Sequence, residues 1–422
     1  MTRPRLLVLS HVLPFPKSSG QSLRVHYMTA ALREKFHLTF ATTAPPARVG
    51  EVQRQLRECA DDAAVLPALY PESRLARLPH QMRGLVYQAR TGLRRSNYVL
   101  SRIELTPERV TELVGGRSFD AVLYEYWHAA SSLGVFRKLG IPSILDMHNV
   151  LWRAYDAELK LDRGMPDFFR KRQVRLHRER EEAAWRDFDA LVAINRDEFD
   201  YTKSVVPASR QIFYTPMGVE LEQWPYTWRP ADPPRVAYYG GMSAKRNQEG
   251  ALRVLRGVMP EVWRRFPKAE FWIVGSKPPA SIQALTANPS IKVTGFVKDL
   301  PPLLGSMSVV VCPFDGTYGF RSRMVEVLAA GVPSVCTPDA VAGMELVERG
   351  AVLPGKTDQE LAAQTVNLLT TPALSESQSR HGRRVVEELF SYESTYQKLA
   401  LDLIQWLASR KETHNEAGCH IA

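Results

Sequence analysis

Two consecutive α/β units, each built on a parallel sheet, are the fold class that this 422-residue sequence predicts. Three observations predict it. Short apolar runs that read as buried strands alternate with longer segments of helical periodicity through both halves, the pattern of parallel strands joined by helices. The length suits two domains, each with a core of its own. A proline cluster (Pro225, Pro230, Pro233 and Pro234) interrupts the alternation near the middle and marks a boundary.

In the first half, strands are expected at Arg5–Ser10, His37–Thr42, Ala121–Glu125, Ser143–Met147, Ala190–Ile194 and Gln211–Thr215. An amphipathic helix is expected from Gly20 to Glu34, and a long charged one around Pro166 to Phe188. The second half repeats the alternation, with strands at Arg235–Tyr239, Ala269–Val274, Ile291–Thr294, Ser308–Cys312 and Ser334–Cys336. A last helix around Tyr392 to Ala408 puts Tyr392, Tyr396, Leu399, Leu403, Trp406 and Leu407 on one face, which needs an apolar surface to cover it. The expected division is a first domain over 1–220, a linker over 221–234, a second domain over 235–390, a helix over 391–410 and a flexible tail over 411–422.

Composition narrows the function classes. No apolar run approaches the roughly 20 residues that cross a bilayer. Arg3 and Arg5 before Leu6–Leu9 imitate a secretion signal, but Ser10 and His11 break the run and no small-residue cleavage site follows, so a first strand is expected there. Cys59, Cys312, Cys336 and Cys419 show no paired spacing, which argues against a zinc site or a disulfide framework and for a reducing, cytoplasmic compartment. The net charge of +10 is concentrated: Arg74, Arg77, Arg83, Arg90, Arg94, Arg95 and Arg102 occur with no acidic residue between Ser73 and Arg102. Leu75, Leu78, Met82, Leu85, Val86, Tyr87 and Tyr98 are interleaved. Such a segment suits an anionic membrane surface or a phosphorylated ligand; a solvated helix pair with one buried side is the alternative. Nucleic acid is not expected, since no recognition motif or aromatic platform accompanies the charge.

The most informative stretch runs from Cys312 to Cys336: buried strand, glycine-containing loop, short helix stopped by Gly331-Val332-Pro333, buried strand. Arg321 and Arg323 sit where the loop becomes the helix, with Glu326 about one turn inside. Guanidinium groups and free backbone N–H groups at a helix start suit a phosphate or diphosphate, and a carboxylate one turn deeper suits sugar hydroxyls. The bland alternative for Glu326 is an i,i+3 ion pair with Arg323, worth about a few tenths of a kcal/mol. Four further motifs follow expected strands, where ligands of open parallel sheets bind. Pro14 to Arg24 is a turn leading through Gly20 into a helix; it is not a dinucleotide loop, but Gly20 could admit a donor phosphate and Arg24 could reach acceptor or phosphate. Asp146-Met147-His148-Asn149 places an imidazole at a strand end, for a substrate hydroxyl or proton transfer, or simply for a structural carbonyl. Gly240 and Gly241 permit close backbone approach, and Lys245 or Arg246 could neutralise phosphate. In Gly295 to Asp299, backbone groups of Phe296 and Val297 could read a base edge, although an ordinary turn explains that motif alone.

With these residues together, the second half resembles the donor-binding domain of retaining glycosyltransferases of family 4, which have the GT-B fold. Gly240-Gly-Met-Ser243, Phe271 to Ser276, Gly295 to Asp299, Gly319 to Pro333 and Thr337 to Gly343 carry the resemblance. The first half is similar more loosely, through Gly20 to Arg24, Asp146 to Asn149 and Pro216 to Glu220. The resemblance implies two Rossmann-like domains facing across a cleft, a C-terminal helix packing back on the first domain, donor binding by the second domain and acceptor binding mainly by the first. The family's ribose-binding glutamate falls on Glu326. A second glutamate, usual eight residues earlier, is Tyr318 here, so the two-glutamate pattern is incomplete; some members carry a Gly-x-Arg-x-Lys loop instead, and Gly319, Arg321 and Arg323 resemble that version.

The function that follows is transfer of a sugar from a nucleoside-diphosphate sugar, such as a UDP- or GDP-sugar, to a hydroxyl of a saccharide or lipid-linked acceptor, with retention, in polysaccharide or glycolipid assembly. Expected donor-site residues are Gly20, Gly240, Gly241, Lys245, Arg246, Phe296, Val297, Gly319, Phe320, Arg321 and Glu326; His148, Arg321 and Arg323 are the expected catalytic groups. No cofactor and no metal are expected: the arginines would stabilise the leaving diphosphate, and Asp187-Phe188-Asp189 precedes its strand and so falls on the wrong side of the sheet. A nucleotide-sugar epimerase or hydrolase, or a noncatalytic nucleotide-sugar-binding partner protein, is the alternative. The expected location is cytoplasmic, with peripheral attachment to the inner membrane face through residues 74–102.

Overall fold

The computed structural model describes residues 3–17, 19–69, 77–92, 104–160, 164–316 and 319–419. Part of the basic segment, including Arg74, Arg94, Arg95, Tyr98 and Arg102, lies outside them, as does Tyr318. The chain divides into two compact units, Met1–Thr215 with Tyr396–Ala422, and Pro216–Thr395. Each is an α/β unit on one parallel sheet, the predicted fold class.

The first unit has seven strands: β1 (Arg5–Leu9), β2 (His37–Ala44), β3 (Asp62–Pro67), β4 (Ala121–Glu125), β5 (Ser143–Asp146), β6 (Ala190–Ala193) and β7 (Gln211–Tyr214). Their order is β3-β2-β1-β4-β5-β6-β7, with every pairing parallel. β1 is central, and Leu6 to Leu9 are buried because helices cover both faces. The order reverses between β1 and β4, which opens a crevice beyond their carboxyl ends. On one face, Tyr124 meets Phe136 at 6.0 Å and Phe188 at 5.4 Å, both edge-on, beside the fully buried Trp185. Edge strand β3 was not expected from sequence. Its residues are only partly buried, so Asp-Ala-Ala-Val-Leu-Pro lacks the apolar density of a central strand.

The C-terminal helix belongs to this unit. It spans Lys398–Cys419, later at both ends than expected. Glu393–Gln397 forms a wider π-type turn instead of its first turn. At the far end the helix continues through residues expected as a flexible tail, and Lys411 Nζ meets Asp120 Oδ1 at 2.6 Å. Tyr396, Leu399, Leu403 and Leu407 are buried as predicted, while the Tyr27 ring lies tilted against Tyr396 and the Phe213 ring meets Trp406 edge-on.

The second unit has six strands, β8 (Arg235–Tyr239), β9 (Glu270–Val274), β10 (Ile291–Val293), β11 (Val309–Cys312), β12 (Ser334–Cys336) and β13 (Leu353–Pro354), in the order β10-β9-β8-β11-β12-β13, again all parallel. The expected linker is corrected. Its backbone is bound to this unit: Thr227 N–H donates to Ala330, Arg229 N–H to Gly305 and Ala231 N–H to Ser306, and Trp228 Nε1 donates to the Met307 carbonyl at 3.1 Å. Prolines hide periodicity without preventing such a strap, because only alternate backbone groups need partners. The helix Ser322–Ala329 ends at Gly331, whose φ of 83° is open to glycine at low cost.

Cys59, Cys312 and Cys336 are free thiols. Among the described residues no helix is long and apolar enough to cross a membrane.

The packing of the last helix makes a direct prediction. Leu403→Ala removes a fully buried side chain and should destabilise the first unit by about 2–5 kcal/mol, read as a lower urea midpoint. An unchanged midpoint would place the helix outside that unit's cooperative structure.

Candidate functional site

In the second unit, β8 and β11 are neighbours in the sheet, so the loops leaving their carboxyl ends lie together. The loop after β11 places Phe314 under the guanidinium of Arg321, 3.7 Å from carbon to ring centroid. Arg246 approaches the same ring at 5.5 Å. Arg321 immediately precedes the helix Ser322–Ala329. Its Nη atoms donate to the carbonyls of Asp339, Ala340 and Gly316, whereas its buried Nε has no hydrogen-bond partner. Burial lowers its pKa to about 10, with Arg323 and Arg246 adding repulsion. A guanidinium pushed this way gains most from an anion.

Arg323 reaches across to β8. It donates to the Tyr239 carbonyl at 3.0 Å, to the Tyr238 hydroxyl at 3.3 Å and to Asn247 Oδ1 at 2.9 Å. A Cβ on Gly240 would collide with its Nη1, so this glycine makes room for an arginine as well as for a ligand. The i,i+3 alternative for Glu326 is thereby displaced: Arg323 turns to β8, and Glu326 Oε2 accepts the Tyr239 hydroxyl at 2.6 Å. Burial raises the Glu326 pKa.

The other expected donor residues separate into two groups. Arg246 joins the arginine cluster, whereas Lys245 opens the helix Lys245–Arg253 with an exposed side chain 4.0 Å from Glu249. Gly241 is exposed and Gly240 buried. Gly319 has a φ of 73°, and Phe320 packs its ring 6.0 Å from Phe390, leaving its backbone as the part that a ligand could use. Phe296 is 79% exposed at the end of β10, and Val297 is half-buried.

In the first unit, Gly20 opens the helix Gly20–Lys35 behind a reciprocal cap between Ser19 and Ser22. Arg24 is corrected: it does not project towards a ligand. It is fully buried and grips both Asp146 oxygens at 2.7 Å, with Nη1 on the Thr215 carbonyl. Asp146 also lies 3.5 Å from His148 Nε2. Burial opposes ionisation of Asp146, but Arg24 and then His148 outweigh it and lower the pKa. His148 itself sits two residues past β5 with a φ of 56°, and its Nε2 is 2.5 Å from Glu125 Oε2. The Tyr126 ring stacks on it at 4.1 Å and 9°. Glu125 and Tyr126 were not expected. Glu125 reads as the end of an apolar strand, and only the β4–β5 register, which pairs Glu125 with Asp146, brings it under the imidazole.

Two buried glutamates hold the loop behind His148. Glu198 Oε1 accepts the Val150 N–H at 3.0 Å, and the Glu181 oxygens accept those of Leu151 and Trp152 at 2.8 and 2.7 Å. They supply, from distant helices, the capping that the start of Leu151–Leu159 lacks locally. Glu125, Asp146 and His148 also bring their ligand atoms within 4.8 Å, a spacing that a metal ion could use. Arg24 occupies both Asp146 oxygens, however, so a cation there would meet a guanidinium, and an ion-pair network is the better fit. Asp189 accepts from Ser143 N–H at the opposite, amino-terminal edge of the sheet.

Residues 233–371 match the family model described as Glycosyl transferases group 1. No curated protein sequence matches the chain significantly. Among solved structures, sucrose-phosphate synthase from Thermosynechococcus elongatus is similar over 96% of this chain and 100% of its own, with 16% identity and a TM-score of 0.67. Anabaena HepE in complex with UDP and glucose is similar over 95% and 99%, with 15% identity and a TM-score of 0.60. The α,α-trehalose-phosphate synthase (UDP-forming) from Burkholderia vietnamiensis is similar over 96% and 100%, with 12% identity and a TM-score of 0.60. At these identities the likeness is one of fold, that of GT-B glycosyltransferase structures.

Loop support carries a pH signature. Burial pushes the Glu198 pKa from its ordinary 4.5 up to about 7, against the Val150 hydrogen bond. Between those values the folded chain holds a proton that the unfolded chain has lost, so stability falls as pH rises. Glu198→Gln keeps the Val150 bond and removes this slope. Relative to wild type, the variant should gain about 3 kcal/mol between pH 4.5 and 7.5, measured by urea unfolding; parallel pH profiles would refute the assignment.

Proposed function

We propose that the chain is a retaining glycosyltransferase that moves a sugar from a nucleoside-diphosphate sugar to a hydroxyl of a saccharide or lipid-linked acceptor, without a metal. One observation carries the reading: Arg321, buried and repelled by Arg323 and Arg246, donates to the neutral carbonyls of Asp339, Ala340 and Gly316 and keeps its charge for an anion beyond β11. A departing diphosphate gains negative charge, and preset guanidinium groups stabilise that gain. Glu326, one turn further along the helix, is read as the ribose ligand, and the backbone of Phe296 and Val297 as the edge that meets the base. The family match over 233–371 supports the same reaction class. Since HepE is described with UDP and with UDP-glucose, uridine donors are the first to test.

The acceptor is proposed to arrive at a membrane surface. In the helix Leu78–Thr91, Leu78, Met82, Leu85 and Val86 are 54%, 61%, 58% and 48% exposed. Their spacing places them on one helical face, and the helix contains no acidic residue. An apolar stripe on a basic helix suits an anionic bilayer, hence a cytoplasmic enzyme attached to the inner membrane face and a role in polysaccharide or glycolipid assembly.

A panel of nucleotide sugars, with and without saccharide or lipid-linked acceptors, tests the reaction. Acceptor-dependent nucleotide release with an axial anomer retained in the product is expected. Epimer formation or hydrolysis without acceptor would replace the reading with that of an epimerase or hydrolase, and binding without turnover with that of a partner protein. Arg321→Met should weaken UDP binding by roughly 10–100-fold, the value of hydrogen bonds to a charged group, measured by calorimetry; unchanged affinity would remove Arg321 from the site.

Vesicle sedimentation tests the surface. Binding to vesicles rich in anionic lipid should exceed binding to neutral ones, weaken in high salt, and fall several-fold in Met82→Glu. Equal binding to both vesicle types would overturn it.

A further inference from the structure

At the amino-terminal edge of the first sheet, opposite the edge that carries His148, lies a cavity of about 450 Å³. Parallel pairing brings its walls together from distant positions: Ser143 opens β5, Asp189 precedes β6 and Arg210 precedes β7. Arg137 ends the short helix Leu133–Arg137, Asp187 ends the helix Asp167–Asp187, and Arg410 comes from the helix Lys398–Cys419. All six line the cavity, and the proposed reaction uses none of them.

Three guanidinium groups meet two carboxylates there, and the carboxylates are poorly placed to satisfy them. Asp189 Oδ2 is committed to Ser143, accepting its N–H at 2.9 Å and its hydroxyl at 3.0 Å. Its Oδ1 is shared by two arginines, Arg410 at 3.3 Å and Arg210 at 3.7 Å. The longer separation is beyond hydrogen-bond reach. Asp187 Oδ1 lies 3.5 Å from Arg137, in a pair whose side chains are 65% and 61% exposed, where solvent screens the attraction. Arg137 and Arg210 are positioned instead by neutral oxygens, the carbonyls of Asp187 and Arg186 at 3.3 and 3.2 Å. Those carbonyls belong to the last turn of the helix Asp167–Asp187, so both arginines help to cap it. A cap uses one N–H of the five that a guanidinium offers. The Nε of Arg210, screened from solvent, has no hydrogen-bond partner among the described residues. Three arginines against two aspartates also leave one positive charge over.

We infer that this cavity binds a soluble phosphate monoester. Guanidinium groups arriving from three different elements suit the three terminal oxygens of a phosphate better than a planar carboxylate, and arginine binds phosphate through paired N–H donors. The volume exceeds that of a phosphate group and reaches the range of small-molecule sites. Ile141 and Pro142 add an apolar wall for the organic part of the ester. Because Arg410 lies on the C-terminal helix and Arg210 beside the sheet, the bound phosphate ties that helix to the sheet. The plain alternative is a set of ion pairs that fastens the helix without a ligand. The sharing of Asp189 Oδ1 argues against it, since such a network would give Arg210 a carboxylate within bonding distance. The inference does not depend on the glycosyl-transfer reading.

Calorimetric titration of the full chain with inorganic phosphate and with glycerol phosphate, at constant ionic strength, tests the site. Wild type and Arg321→Met are both titrated, since the arginines of the second unit offer phosphate a competing place. Binding should persist in Arg321→Met. In either background it should weaken by roughly 10–100-fold in Arg210→Met or Arg410→Met, each of which removes hydrogen bonds to a charged group. Arg137→Met changes a mostly exposed side chain, so its fold is not at risk, and it should weaken binding several-fold. Asp189→Asn keeps an oxygen for Ser143, removes a like charge and should tighten binding several-fold. In urea, phosphate should raise the midpoint of Arg321→Met by mass action, and the added Arg210→Met change should abolish that rise. No phosphate binding in Arg321→Met, or unchanged affinity in Arg137→Met and Arg210→Met, would overturn the inference. So would lower urea midpoints in the arginine variants without any phosphate dependence, which would leave these residues as ties for the helix alone. Binding to vesicles containing phosphatidic acid, with none to either soluble phosphate, would also overturn it by assigning the arginines to a lipid surface.

Discussion

Parallel pairing is the constraint on which both units depend. A parallel strand has to be followed by a return across the sheet, so every strand of a unit ends at the same edge. The loops leaving β1, β4 and β5 therefore collect at one edge of the first sheet, and those leaving β8, β10 and β11 at one edge of the second. Motifs separated by dozens of residues become neighbours for this reason alone. The same topology puts helices on both faces of each sheet, which is why the interior strands are largely apolar and why charge at the end of β4 or β5 stands out against them.

The two edges handle charge in opposite ways. In the first unit, Arg24 is closed by Asp146, and Glu125 by His148; charge is balanced by side chains within the fold. In the second, Arg321 and Arg323 are fixed by carbonyls, a hydroxyl and an amide oxygen. Their positions are determined by neutral acceptors while their charge remains to be matched from outside. A network of the first kind orients a group, and one of the second kind selects a ligand. On the proposed reading, the second edge offers its charge to a donor phosphate.

Much of this was legible in sequence. The strand at Ala121–Glu125 and those at Arg235–Tyr239 and Ser334–Cys336 coincide with the observed spans, because apolar runs bounded by turn residues have few other solutions. β3 was missed since an edge strand buries less and carries a weaker pattern. The stretch after Trp224 read as a linker because prolines erase periodicity, yet its backbone groups find partners on the second unit. Arg24 read as a ligand group because arginines in glycine turns often are; nothing local distinguishes such a residue from one that is fully buried beneath the next-but-one strand.

The sequence by itself determined the fold class, the strand-ending position of His148, and the helix start at which Arg321, Arg323 and Glu326 gather. These follow from periodicity and short spacings, which are local. Tertiary structure decided the partners: Glu125 under His148, Tyr239 on Glu326, Phe314 beneath Arg321, and Glu181 and Glu198 as caps for a distant helix. Each of these contacts depends on strand register or crossover geometry, and a shift of one residue in β4 would turn Glu125 to the other face of the sheet. Which residues carry charge is written along the chain; which charges are neutralised is settled only when the strands pair.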